Sequence, residues 1–501
     1  RAVFLMETLT MRFRVIVLLI LSGAASTPGW AQSGLLGPAF STFVDSVLAT
    51  PVEQRPALVD SFVARAKPTP LVESDTVACF LYRGAASSVG VPGDMNGWDA
   101  NVFRMSQLEG TDLWYYEAVF EPEARLDYKL VLGGAEWILD PLNPHTVTGG
   151  FGANSELAMP GYVQPAEIES YPDIGHGVIV DHRNIASASL GDSRTVRVFL
   201  PAEYETSGDR RYGVMLFHDG LEYFSIGRAR NVIDFLISEK RIDPIIGVFV
   251  PPNRRNEEYG FGLQDAYQEF IVEELMPFVD ATYRTNTDPG TRGTIGPSLG
   301  GLISAQLCYR HPEQFGLCAV VSPSFQVNDR ALLTEIDEGA RKDVRFYVDW
   351  GTYEPTIETV AEAFVGVIEA KGYEYEANAW FEGHSWGNWR GHLSDALEYL
   401  FPAGLGTSVL DETIPQGTEA GVSFPNPFFD VTRIPFSLER QGTVRVTVYD
   451  MTGRLVSTRT DHYPAGRHVL SFRGDRLVTG NYVYHLHAGG KDVRGLMTVL
   501  R

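Results

Sequence analysis

The sequence predicts a multidomain chain: a central α/β block, a mostly parallel sheet with helices on both faces, flanked by two small Ig-like β-sandwiches. Three observations carry this. From about residue 170 to 402, strand-like apolar runs alternate with helical stretches, the rhythm of a parallel sheet. At 70–165 and 421–501, short alternating runs are broken by glycine and asparagine turns, the rhythm of antiparallel sandwiches. A chain of 501 residues, 44% of them apolar, has material for about three cores.

Residues 1–31 read as a secretory signal peptide with a few residues upstream. Met11 opens it, Arg12 and Arg14 are its basic region, Val15 to Leu21 is unbroken apolar sequence, and small residues lead to Ala31-Gln32. It is too short for a span, and no other stretch has 18 consecutive apolar residues, so a soluble, exported mature chain is expected. Residues 35–69 form a helical lead-in: Phe40, Phe43, Val44, Val47 and Leu48 share a helical face, as do Val59, Phe62, Val63 and Ala66. In 70–165, strands are expected at Val77–Tyr82, Ser88–Pro92, Leu113–Phe120 and Tyr128–Leu132, with turns at Gly93-Asp94, Asn96-Gly97 and Gly133-Gly134.

The block 170–402 has strand runs at Val196–Leu200, Val214–Phe217, Ile245–Val250, Thr294–Ile295, Ala319–Val321, Phe346–Val348 and Tyr375–Trp380. Helical patterns such as Ala266–Val279 and Ile357–Ala370 lie between them. Residues 403–420 are Gly- and Thr-rich without periodicity, a linker. Strands return at Thr443–Tyr449, Val469–Phe472 and Tyr482–His487.

The net charge of −22 argues against nucleic acid or an anionic membrane as main partner, since both need a basic footprint. Cys79, Cys308 and Cys318 are too few and too scattered for a disulfide framework and read as free, buried thiols. His485 and His487 share a strand face, but two imidazoles do not make a metal site. No cofactor or metal motif is present, and none is expected.

Chemistry concentrates at Gly296-Pro-Ser298-Leu-Gly300-Gly301, between a short strand and a helical run. G-x-S-x-G in that setting is a nucleophile elbow: small residues permit a tight turn that lifts the serine clear of the sheet, beside the free N–H groups of the helix start. Ser298 needs a base, and His384 lies in the loop after the last sheet strand, where chain order in α/β-hydrolases puts it. The carboxylate that orients it is Glu354, past the end of the preceding strand, or Asp349, nearer the strand. Oxyanion donors are the Leu299 N–H and one from Gly220 or Leu221, in the His218-Asp-Gly-Leu221 loop. Tyr259, Trp350, Trp386 and Trp389 would form an aromatic rim around substrate, with Arg255 as a polar or ionic contact.

These residues resemble the esterase D-type α/β-hydrolases, which include enterochelin, feruloyl and acetylxylan esterases. The likeness covers 175–402 through Val196-Arg-Val-Phe-Leu-Pro201, Leu216-Phe-His-Asp-Gly220, Gly296–Gly301, His311-Pro-Glu-Gln-Phe-Gly316, Gly351-Thr352 and Gly383-His-x-Trp386-x-x-Trp389-Arg390. The resemblance implies an α/β-hydrolase and sets the acid on Glu354, two residues past Gly-Thr. Residues 70–165 resemble glycogen-binding-like carbohydrate modules through Pro92-Gly-Asp-Met-Asn-Gly-Trp98 and Trp137-Ile-Leu-Asp-Pro-Leu-Asn-Pro144. Polysaccharide contact is implied there, with Trp98, Trp114 and Trp137 as either stacking faces or core. Residues 421–501 resemble type A sorting domains of type IX secretion through Phe424-Pro-Asn-Pro427, Val448-Tyr-Asp450 and Thr479-Gly-x-Tyr482. The joint expectation is a secreted or surface-held serine carboxylesterase for feruloyl or acetyl esters on oligosaccharide or polysaccharide, with the type IX machinery as partner. A siderophore trilactone esterase and a non-catalytic glycan-binding protein are the alternatives.

Overall fold

The computed structural model describes residues 40–404, apart from 67 and 151, and most of 431–499. The signal peptide, the Phe424–Pro427 motif and all but the start of the linker lie outside the described residues.

Helices α1 (Phe40–Leu48) and α2 (Arg55–Arg65) form where the apolar faces were expected. Phe43 stacks on Phe62 with ring centroids 3.8 Å apart, and both helices pack on Cys79, Leu81 and Leu113 of the following strands. Residues 71–158 fold into three small antiparallel sheets. Val77–Arg83 pairs with Leu113–Val119, and Phe80, Trp114, Tyr128 and Leu157 fill the core. Gly97, Gly133 and Gly134 take the left-handed conformation that their turns require. Trp114 is buried and Trp98 half-buried, whereas Trp137 is exposed.

The central sheet has eight strands: β1 (Val178–Ser187), β2 (Asp192–Leu200), β3 (Gly213–His218), β4 (Ile245–Val250), β5 (Arg292–Pro297), β6 (Leu317–Val321), β7 (Arg345–Gly351) and β8 (Glu374–Trp380). Their spatial order is β1-β2-β4-β3-β5-β6-β7-β8. Strands β3 to β8 pair in parallel, and β1 and β2 run antiparallel at one edge. Strand β5 is buried at every residue, and large apolar clusters cover both faces of the sheet. The apolar runs do not announce β1: it is an edge strand with polar residues on its open face and a break in register between His182 and Ile185. The long helix expected over 266–279 contains a wide π-helical stretch, Phe270–Leu275, just before Pro277, which has no N–H to donate.

Residues 431–499 form a two-stranded and a four-stranded antiparallel sheet, with Ile434, Phe436, Val446, Leu470 and Tyr484 buried in one cluster. The three cysteines are free and buried. Among the described residues, no helix is long and apolar enough to cross a membrane.

Candidate active site

Chain order reverses in the sheet at β3, which lies between β4 and β5, and a parallel sheet opens a crevice at the carboxyl ends of its strands at such a point. Ser298 stands at that end of β5, with φ 61° and ψ −119°. Helix α3 (Leu299–Arg310) starts at the next residue, so its first N–H groups have no partner within the helix. A Cβ on Gly296 would lie 2.6 Å from the Gly300 carbonyl, so glycine is needed for the strand and helix to approach. The Ser298 N–H donates to the Val321 carbonyl at 2.9 Å, and its Oγ lies 3.0 Å from Ser324 Oγ.

Glu354 and His384 follow β7 and β8, at the same end of the sheet. His384 Nδ1 lies 3.3 Å from Glu354 Oε1; the carboxylate is buried and the imidazole 41% exposed. Ser322 Oγ donates to the same Glu354 oxygen at 3.0 Å and accepts from Trp389 Nε1 at 3.0 Å. The Trp389 ring meets the His384 ring edge-on. Asp349 is elsewhere: its Oδ2 accepts from the Tyr347 hydroxyl at 3.1 Å, and burial pushes its carboxyl up to about 7. Of the two candidate acids, Glu354 is the one beside His384.

The loop after β3 is equally enclosed. His218 is fully buried, its Nδ1 is 2.9 Å from the Tyr267 hydroxyl, and burial holds it down to about 3, so it is a neutral structural group. Gly220 packs so tightly on β4 that a Cβ would lie 2.3 Å from the Val250 nitrogen. Leu221 is exposed in the first turn of the short helix Gly220–Ser225.

The expected aromatic rim does not form, because its four rings are buried. Tyr259 is fully buried, and its hydroxyl accepts from the Asp219 N–H at 3.0 Å. Trp350, Trp386 and Trp389 are also buried, with Trp386 edge-on to Tyr223 and Trp389. Arg255 grips Asp219 through two 2.7 Å bonds and donates to the Pro297 carbonyl at 3.2 Å. Its guanidinium therefore ties the loop after β3 to the elbow, with 36% of the side chain exposed. Aromatic content in active-site loops signalled a surface, but these rings fill the space beneath one. Ser322 and Ser324 escaped notice because their only signal, Ser-Pro-Ser after β6, acquires meaning once β6 lies between β5 and β7. A separate cavity of 390 Å³, lined by Arg211, Asp243, Asn286 and Arg341, includes Gly213 and Ile245 at the opposite, amino ends of β3 and β4.

Residues 187–400 match the model of the Esterase family. This part of the chain is an esterase domain. The esterase domain makes the chain a carboxylic ester hydrolase. Residues 422–497 match the secretion system C-terminal sorting domain, which addresses the esterase for secretion by the type IX route. Protein YjcH of Bacillus subtilis is 28% identical over 180 residues, 33% of this chain and 74% of that protein. The endo-1,4-β-xylanase/feruloyl esterase of Xylanibacter ruminicola is 29% identical over 90 residues, 17% of this chain and 12% of that one. The enterobactin esterase of Shigella flexneri, solved with enterobactin, superposes with a TM-score of 0.58 at 21% identity, over 68% of this chain and 97% of that one. That coverage exceeds the residues matched by the Esterase model.

Proposed function

We propose that this esterase works through an acyl-enzyme on Ser298. Ser298 Oγ attacks the ester carbonyl while His384 Nε2 takes its proton; Glu354 fixes the imidazole tautomer through Nδ1 and stabilises the imidazolium. The oxyanion is met by the Leu299 N–H and a second N–H from Gly220 or Leu221, donors that the fold orients before charge develops. His384 gives that proton to the departing alcohol, which leaves the acyl group on Ser298; it then takes a proton from the water that attacks the acyl-enzyme and releases the acid. The observation that carries this reading is the 3.3 Å contact between an exposed histidine and a buried glutamate, at the strand ends where the elbow opens.

The substrate we propose is a feruloyl or acetyl ester on an oligosaccharide or polysaccharide. Its support is the export address together with a feruloyl esterase among the relatives. With the aromatic residues enclosed, a planar acyl group has no rim to recommend it, and acetyl stands level with feruloyl. Residues 70–165, read as an Ig-like carbohydrate-module-like domain, offer the exposed Trp137 as a stacking face. A siderophore trilactone is the second reading, favoured by the likeness to an enterobactin esterase that extends beyond the esterase domain.

The test is a hydrolysis panel of feruloyl- and acetyl-oligosaccharides and a catechol trilactone, each run beside Ser298→Ala. Serine-dependent turnover of a sugar ester supports the proposal, and turnover of the trilactone alone transfers it to the second reading. Ester turnover that survives Ser298→Ala removes the mechanism.

A further inference from the structure

The segment carrying His384 is gripped from the N-terminal β region. Arg125, on the strand Arg125–Tyr128, has a side chain only 1% exposed, although arginine is almost never buried without partners. It forms ion pairs with Asp127 at 2.7 Å, Glu156 at 2.9 Å and Glu382 at 3.7 Å. Its Nη1 donates to Ser385 Oγ at 3.3 Å, one residue past His384, and its backbone N–H donates to the Phe381 carbonyl at 3.0 Å. Burial alone would lower the Arg125 pKa, but Asp127, Glu382 and Glu156 hold it well above the ordinary arginine value, so the charge stays in place.

Two glycines complete the fit. A Cβ on Gly387 would lie 2.1 Å from the Arg125 guanidinium carbon, and one on Gly383 would lie 2.1 Å from the Asp94 carboxyl carbon. Asp94 in turn accepts from the Asp127 N–H and from Trp98 Nε1. His384 thus sits between a residue pressed on Asp94 and one bonded to Arg125. The acid has a similar neighbour: the Tyr353 hydroxyl, one residue before Glu354, donates to Glu121 of the β region at 2.5 Å.

We infer that Arg125 is a positioning residue for the reaction, through which the N-terminal β region holds His384 in register with Glu354. The inference rests on the reading of His384 as the base. Its mechanism is geometric: the imidazole must meet both Glu354 and the Ser298 hydroxyl, and a shift of about 1 Å can cost about a hundredfold in rate. A fork of donors serves because it reaches carboxylates on the β region and a hydroxyl beside His384 at once, which a lysine ammonium cannot.

The test compares wild type, Arg125→Ala and Arg125→Lys in the full chain by kcat, KM and amide exchange across 381–391. The expected results are a kcat lower by about a hundredfold in Arg125→Ala with KM changed little, and partial recovery of kcat by dilute guanidinium ion. Arg125→Lys, which keeps the buried charge, serves if the alanine variant does not fold. It should lose about tenfold in kcat and exchange faster at 381–391 than wild type does. A folded Arg125→Lys with wild-type kcat and wild-type exchange at 381–391 overturns the inference. The exchange arm needs no turnover, so failure of the positioning role is distinct from failure of the esterase mechanism, which would show as wild-type turnover independent of Ser298.

Discussion

Asp349 and Glu354 are five residues apart, and their surroundings assign them different roles. Glu354 has His384 and Ser322 on one oxygen, while Asp349 is enclosed with Tyr347 and carries a carboxyl raised by burial. Glu354→Gln should lower kcat by about 10³–10⁴, the cost of losing the group that sets the tautomer, while Asp349→Asn stays near wild type. Steady-state kinetics on the two variants checks this, and the reverse ranking would contradict it. His392 makes a second prediction. Burial alone would lower its pKa, but Asp395 and Glu382 lift it from 6.5 to about 10. The folded state therefore binds its proton more tightly than the unfolded state. This stabilisation is complete below pH 6.5 and is lost as pH rises toward 10. His218 has the opposite sign: held down to about 3, it contributes stability present above pH 6.5 and lost as pH falls toward 3. Urea midpoints across pH should fall on the alkaline side, and His392→Gln should flatten that limb.

At the scale of elements, the elbow was legible because its chemistry is local. A strand, a serine at positive φ and a helix leave room only for glycine at Gly296, and that requirement shows in six consecutive residues. Gly296→Ala should cost about 1–3 kcal/mol in urea unfolding, the range for forcing atoms into a packed site, and should lower kcat with it. Wild-type stability would show that the helix start can move aside. Strand β1 was missed because an edge strand with one solvated face lacks a continuous apolar run. The substrate role given to Tyr259 failed for another reason: residue type marked it as suited to binding, but its burial and its bond to Asp219 are tertiary facts. The Arg125–Ser385 contact joins residues 260 apart, a separation at which no local pattern speaks.

For the whole molecule, the chain divides its tasks between what reacts and what delivers. The sorting domain has its own core and an export role. A chain ending at Gly404 should keep the kcat and KM of the full chain on a small ester, and a large loss would show that residues 405–501 support the site. Removal of residues up to 165 should instead abolish turnover even where the esterase domain folds, since Arg125, Asp94 and Glu121 leave with it. The most direct test of the central claim is to quench the enzyme during turnover of an activated ester and locate the acyl group by peptide mass spectrometry. The account predicts an adduct on Ser298 that is absent from Ser298→Ala. An adduct on Ser324, 3.0 Å away, or ester hydrolysis that continues in Ser298→Ala would contradict it.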